Sequence, residues 1–178
     1  MLQLNLGCGK DIRAGYVNVD KAFLKGVDVV CDLEQGLPFK ASVFEGIFSR
    51  YVLEHIQDLI QCMSEIHRIL KPDGMAHIEV PHCTCVYAYT DPSHKIFFTL
   101  RTMDFFEEGA SEGYFLNIPF RFKIVSKRLR FTEDRRLRIL NFIINSMVNR
   151  FPDIYERFFM WRLPMNKIIF EMKAIKEM

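Results

Sequence analysis

The chain has 178 residues, 49% hydrophobic and 26% charged, proportions that exclude disorder as its main state and fit one globular domain with a core of its own. Lys plus Arg number 24 and Asp plus Glu 22, a net charge of +2 that makes no overall case for nucleic acid. The longest apolar stretches, such as Phe158 to Trp161, are a few residues long, too short to cross a bilayer.

Met1 to Leu6 runs straight into glycines without a basic and apolar leader, and the five Cys are scattered. Both features point to a cytoplasmic protein with reduced thiols. Leu2 to Leu6 alternates weakly and ends at Gly7-Cys8-Gly9, the pattern of a buried strand entering a tight turn. Tyr16 to Val19 and Val27 to Cys31 are two further strand-like runs, ending at Asp20 and Asp32, and Gly46 to Ser49 reads as a fourth. Leu59, Met63, Ile66 and Leu70 then recur at helical spacing. Lys71-Pro72-Asp73-Gly74 ends that helix, proline being unable to continue it and glycine tolerating the reversal. Met75 to Val80 is a fifth strand.

The second half is less regular. Ile96 to Phe106 reads as helix, Phe120 to Val125 as strand, and Leu137, Leu140, Ile144, Met147 and Phe151 as the apolar stripe of another helix. Lys167 to Ile175 reads as a last strand. The cluster Phe158, Phe159, Met160 and Trp161 could pack the sheet edge, form a dimer face or touch a membrane surface, and core packing is the favoured expectation. Strands alternating with helices or turns imply parallel pairing through right-handed crossovers, hence an α/β domain.

In open α/β sheets, ligands bind outside the carboxyl ends of the parallel strands. Gly7 to Gly9, Asp20, Asp32 and Ser49 all sit at such ends. Alone, Gly7-Cys8-Gly9 is equally a structural turn. With the two acids it becomes a nucleoside site: Asp20 accepts from a ribose diol and Asp32 from an adenine amino group. A dinucleotide fingerprint is disfavoured, because Ile12 stands where a third small residue is needed and the acid comes too soon after Gly9. No phosphate loop is present either.

The residues resemble the class I S-adenosylmethionine-dependent methyltransferases, in a compact type 11-like subgroup. The resemblance rests on Leu4-Asn5-Leu6-Gly7-Cys8-Gly9, Gly15-Tyr16-Val17-Asn18-Val19-Asp20, Asp32-Leu33 and Leu37-Pro38-Phe39. It continues through Phe48 to His55 and Arg68-Ile69-Leu70-Lys71-Pro72-Asp73-Gly74. It implies a Rossmann-like three-layer sandwich, with a mostly parallel seven-strand sheet closed by an antiparallel last strand at 167–175. A single domain over 1–178 is expected, 1–82 forming the cofactor-binding half and 83–178 the acceptor side and the rest of the sheet. S-adenosyl-L-methionine is the implied cofactor. Gly7, Cys8 and Gly9 would lie against its methionine and ribose part, Asp20 would hold the ribose hydroxyls, Asp32 and Leu33 would read adenine, and Ser49 would line the methionine end. Two departures bear on cofactor affinity. Asn5 replaces the usual acid, and the segment from Gly9 to Asp20 is too short for the usual first helix; the compact subgroup shares both.

Methyl transfer needs an aligned acceptor, excluded water and, for hydroxyl or amine acceptors, a base. Histidine suits that task. His67 falls in the helix stripe and His77 within a strand, both structural positions, which leaves His55, His82 and His94, with His94 and His82 ranked first. Asp91 to His94 resembles an Asp-Pro-Ser/Thr-His segment of the subgroup that belongs to its acceptor site. Tyr87, Asp91 and Arg128 are the candidate acceptor-binding residues. His82, Cys83, Cys85 and His94 are metal-ligand types, but their spacing matches no finger or ribbon, so no metal is expected.

From Arg121 to Arg138 eight basic residues stand against Glu133 and Asp134, a local +6 that leaves −4 for the rest. This run is a solvated face or a site for phosphate on the acceptor. The resulting expectation is a methyltransferase for a small polar acceptor, a sugar or a phosphate-linked saccharide hydroxyl. Its rivals are a non-catalytic S-adenosylmethionine-binding adaptor and an RNA methyltransferase using the basic run. Nucleic acid is the weaker partner, no membrane span is expected, and a homodimer is an open option.

Overall fold

Leu4 and Leu6 are fully buried and Asn5 between them nearly so, so β1 (Gln3–Leu6) is covered on both faces and must lie inside the sheet. It pairs in parallel with β2 (Tyr16–Asp20) on one side and β4 (Phe44–Arg50) on the other. Beyond β2 lies β3 (Val29–Val30), and beyond β4 lies β5 (Leu70–Pro81), both parallel. β6 (Arg121–Arg130) and β7 (Lys167–Ile175) complete the sheet, β7 running antiparallel between β5 and β6. The order is β3-β2-β1-β4-β5-β7-β6. A computed structural model describes residues 2–109 and 118–176.

The expected seven strands and antiparallel closing strand are present. Between β4 and β5 runs α1 (Leu59–Ile69), which buries Cys62, Met63, Ile66 and Ile69. Its first turn is capped by Asp58, whose carboxylate accepts from Gln61 N at 2.9 Å. The reversal after it is made by Asp73 at φ 63°, not by Gly74. The described residues between β1 and β2 form no helix. Asn5 ties that short link instead, donating to Asp11 O at 2.6 Å and Asn18 Oδ1 at 2.9 Å. A carboxylate at this position could donate neither bond, which is a physical reason for asparagine where the larger family keeps an acid.

Several expectations are corrected. The third strand shrinks to Val29–Val30. Ile96 to Phe106 is not one helix: Phe98 is held extended by a bridge to His82 and by Cys83 N on its carbonyl, and only Thr102–Phe106 forms a 3-10 turn. The turn starts late because Thr99 N donates to Thr102 Oγ1 at 2.9 Å. The strand expected at 120–125 extends through Arg130, so much of the basic run is the sheet's edge strand, where charge discourages pairing with other chains. A four-residue helix, α2 (Tyr87–Thr90), follows β5.

Two helices, α3 (Arg138–Arg150) and α4 (Pro152–Phe158), link β6 to β7. In α3 the expected stripe is wrong apart from Ile144: Leu140 and Met147 are exposed, as are the flanking Leu137 and Phe151. The inward face carries asparagines. Asn149 accepts from Leu129 N at 2.7 Å and donates to Leu129 O at 2.9 Å, Asn145 accepts from Phe131 N at 2.9 Å, and Asn141 donates to Thr132 O at 2.8 Å. These side chains satisfy backbone groups along and just beyond the free edge of β6. The Phe158 to Trp161 cluster does not enter the core either; Phe158, Phe159 and Trp161 are exposed, and Met160 alone packs against it.

Candidate functional site

Two cavities meet at the carboxyl ends of β1, β2 and β4. The smaller, of about 280 Å³, is lined by Gly7, Asp20, Lys21, Asp32, Leu33 and Val52, among others. Gly7 has φ +67°, and a Cβ there would lie 2.3 Å from Val52 Cγ2, so only glycine fits the turn. Asp20 is pre-set: one carboxylate oxygen takes Gly9 N at 2.7 Å and the other Ala22 N at 2.9 Å. Each oxygen keeps a free lone pair for a vicinal diol. Asp32 caps the 3-10 turn Leu33–Gln35 through Oδ1, which accepts from Glu34 N at 3.0 Å.

These residues fit a nucleoside with a 2′,3′-diol, and therefore the ribose and adenine of S-adenosylmethionine. Cys8 and Gly9 serve from behind the wall. Cys8 is buried and its N–H is spent on Val19 O at 2.9 Å, while Gly9 holds Asp20. Ser49 is buried beyond both cavity linings and its hydroxyl has no partner.

The larger cavity, of about 680 Å³, shares Tyr51 and His55 with the smaller and adds Glu54, Tyr87, Asp91, His94 and Glu133. Tyr51 sits at φ 59°, a conformation a bulky side chain adopts at a cost of about 1–3 kcal/mol and one that clusters at functional sites. Its N–H donates to Glu79 O at 2.9 Å, which fixes the bend where β4 ends. Glu54 is 1% exposed and its Oε2 has no hydrogen-bond partner. Burial, with Asp91 adding to it, pushes its carboxyl up to about 7.

The rings of His55 and His94 meet edge to face, centroids 4.7 Å apart. Ser93 donates its hydroxyl proton to Asp91 Oδ1 at 2.6 Å, so it accepts from His55 Nδ1 at 2.9 Å. His94 Nδ1 donates to Ala88 O at 3.0 Å. Both rings therefore keep a free lone pair on Nε2. Burial, then the neighbouring His94, lowers the His55 pKa.

Of the residues singled out in the sequence, the structure gathers His55, His94, Tyr87 and Asp91 in one cavity and Gly7, Asp20, Asp32 and Leu33 in the other. It separates His82 and Arg128 from them. His82 is fully buried, with Nδ1 bonded to Thr84 Oγ1 at 2.7 Å and Nε2 3.4 Å from Glu156 Oε1, and it lines neither cavity. Arg128 lies on β6, 3.6 Å from Glu171, outside both linings. Tyr51, Glu54 and Ser93 were not singled out, although each lies within a motif already noted. The signals that mark them, a positive φ and an unpartnered oxygen, exist only in three dimensions.

The protein family described as "Methyltransferase domain" matches residues 4–78. The human protein named arginine-hydroxylase NDUFAF5, mitochondrial, is 34% identical over 93 residues, and the zebrafish (Danio rerio) protein of that name 30%. The match covers 42% of this chain and 27% of the human protein. Among solved structures, YcgJ of Bacillus subtilis superposes with a TM-score of 0.59 at 16% identity, covering 99% of this chain and 92% of its own. A SAM-dependent methyltransferase from Archaeoglobus fulgidus gives 0.57 at 19% identity, covering 97% and 85%. The [4+2]-cyclase SpnF gives 0.61 at 14%, covering 99% and 75%. Over residues 4–78 the chain is similar to the methyltransferase-domain family, and its fold is that of S-adenosylmethionine-dependent methyltransferases of known structure.

Proposed function

We propose that the protein transfers a methyl group from S-adenosylmethionine to a small polar acceptor, a hydroxyl of a sugar or of a phosphate-linked saccharide. The observation that carries this reading is the meeting of the two cavities at Tyr51 and His55. Bound in the smaller cavity, the cofactor supplies an electrophilic methyl carbon on a sulfonium. Asp20 and the glycine turn hold the nucleoside end, and Tyr51 and Val52 wall the junction. Glu54, His55 and His94 face the acceptor side, where they orient its oxygen and handle its proton.

The fold alone does not decide the chemistry, since its neighbours include a cyclase and its curated relatives are named as hydroxylases. We prefer the saccharide to the RNA reading because, of the basic run, Arg121 to Arg130 forms the sheet's edge strand, where Lys127 is bonded to Asp104 at 2.7 Å and Arg128 stands 3.6 Å from Glu171. The test is transfer of labelled methyl from S-adenosylmethionine to a panel of saccharides, nucleotide sugars and an arginine peptide, with His94→Ala and His82→Ala in parallel. Labelled saccharide with the wild type, lost in His94→Ala while S-adenosylhomocysteine binding persists, supports the reading. Equal transfer by wild type and His94→Ala, or no transfer to any saccharide, contradicts it.

A further inference from the structure

One ligand atom each from Glu54, His55 and His94 lies within 4.8 Å of the other two. The hydrogen-bond accounting above leaves a free lone pair on each imidazole and an unpartnered, buried carboxylate oxygen on Glu54. Among the described residues lining the cavity there are three acids, Glu54, Asp91 and Glu133, and no Lys or Arg. Glu133 is held by Lys167, so Glu54 and Asp91 are the acids that bear on the two imidazoles. We propose that Glu54, His55 and His94 bind one divalent first-row transition-metal ion, a carboxylate and two imidazoles with open positions toward the acceptor cavity.

The donor set suits this class of ion, since imidazole and carboxylate take zinc, cobalt and iron while calcium and magnesium prefer oxygen alone. Both rings are oriented from behind, His94 by the Ala88 carbonyl and His55 through Ser93 by Asp91, as metal-bound histidines are. Ligand atoms around such an ion stand about 3.4 Å apart when each bond is about 2.1 Å, so binding draws the three side chains together by roughly an ångström. Asp91 Oδ2, 3.9 Å from His94 Nε2, is near enough to join or to compete. Cys85 lines the same cavity, but its thiol donates to Asn166 Oδ1 at 3.2 Å, and His82 and Cys83 stand outside the lining. The site is therefore not the His82, Cys83, Cys85, His94 set considered from the sequence.

With the ion bound, these three side chains would no longer take the acceptor's proton themselves: the ion would act as a Lewis acid that lowers the pKa of the acceptor hydroxyl, its proton leaving to water in the open cavity. That role rests on the methyl-transfer reading; the binding does not. The test is titration of the chelator-stripped full chain with Co²⁺, followed by visible absorption, without cofactor or acceptor. One ion per chain is expected, with ligand-field bands and no thiolate charge-transfer band. Glu54→Gln and His94→Ala each weaken binding at least tenfold, Ser93→Ala weakens it about tenfold, and Cys85→Ser leaves it unchanged. Unchanged far-ultraviolet circular dichroism and a cooperative urea transition show that each variant is folded. No Co²⁺ binding by the wild type, affinity unchanged in Glu54→Gln and His94→Ala, or a thiolate band overturns the site.

The outward face of α3 and α4 carries a second inference. On α3, Ile139 and Phe142 are 77% and 73% exposed, with Ile143 and Met147 also open; Ile154 on α4 is exposed too, and Trp161, in the turn after α4, is 68% exposed. This face is spare because asparagines serve the inward side. From Arg135 to Leu163 six Arg stand against two acids, and one of these, Glu156, is turned inward to accept from Leu100 N at 2.6 Å. Exposed aromatic and aliphatic side chains in a segment with an excess of arginine have the composition of an interfacial membrane contact. A symmetric dimer through the same face would set these arginines against each other.

We infer that this face docks on an anionic lipid surface. Trp161 is the one Trp of the chain, so its fluorescence reports directly. The test uses vesicles of phosphatidylcholine alone and mixed with phosphatidylglycerol. Expected are a blue shift and co-sedimentation with the mixed vesicles, reduced by salt and lost in Phe142→Ser/Ile143→Ser. Failure to bind the mixed vesicles, or a lipid-free dimer that already buries Trp161, overturns it.

Discussion

In α1 the residues that repeat at helical spacing, Cys62, Met63, Ile66 and Ile69, are buried against the sheet. In α3 the apolar residues Ile139, Phe142, Ile143 and Met147 face water, and Asn141, Asn145 and Asn149 face the protein. Both helices are amphipathic; only their orientation differs. The cause is what each one covers. α1 lies against paired strands whose backbone is satisfied, so it has apolar side chains to bury. α3 lies along the free edge of β6, whose N–H and C=O groups need polar partners. Helical periodicity therefore reveals that a helix has two faces, but not which of them is inside.

The comparison sharpens first at the glycine turn, in the half of the chain where sequence and structure agree. Gly7→Ala combines a positive φ with overlap on Val52, and we expect a loss of about 3–4 kcal/mol together with cofactor binding, measured by urea unfolding and calorimetry. Glu54→Gln tests a buried polar group of the opposite kind. Its carboxyl titrates at about 7 against an ordinary 4.5. Below 4.5 the acid is neutral folded and unfolded, and its burial carries no charge penalty; that penalty grows as pH rises to 7 and is complete above it. In chelator, Glu54→Gln should stabilise the protein by up to about 3 kcal/mol at pH 8 and leave it unchanged at pH 4. An equal shift at both pH values would show that packing, not charge, is responsible.

The smaller effects belong to α3. Asn145→Leu restores a conventional apolar inward face, yet it strands Phe131 N and should cost about 2 kcal/mol. Phe142→Ser removes an apolar side chain from the same helix and should change stability by less than about 0.5 kcal/mol. The reverse ranking in thermal melts would break the account of an inverted helix.

The strand ends were legible because a parallel strand, a turn glycine and a terminal acid are local features. Gly7, Asp20 and Asp32 could be placed without knowing the rest of the fold. The acceptor side was legible only in part. His82 and His94 look alike in sequence, and the fold alone sends one into the core and the other to the cavity. Tyr51 escaped because strain at φ 59° leaves no mark on residue type. Glu54 escaped because an acid in the 3-10 turn that follows a strand is ordinary until its oxygen is found buried and unpartnered. The basic run was visible as charge, but its place on the edge strand depends on β7 inserting between β5 and β6.

The central claim is that the glycine turn and Asp20 hold S-adenosylmethionine. It is tested most directly by calorimetric titration of the full chain with S-adenosylmethionine and S-adenosylhomocysteine, beside Asp20→Ala. Removing two charge-assisted hydrogen bonds costs about 3–6 kcal/mol, so micromolar binding by the wild type should weaken at least a hundredfold in the variant. No binding by the folded wild type, or equal binding by Asp20→Ala, would contradict the claim.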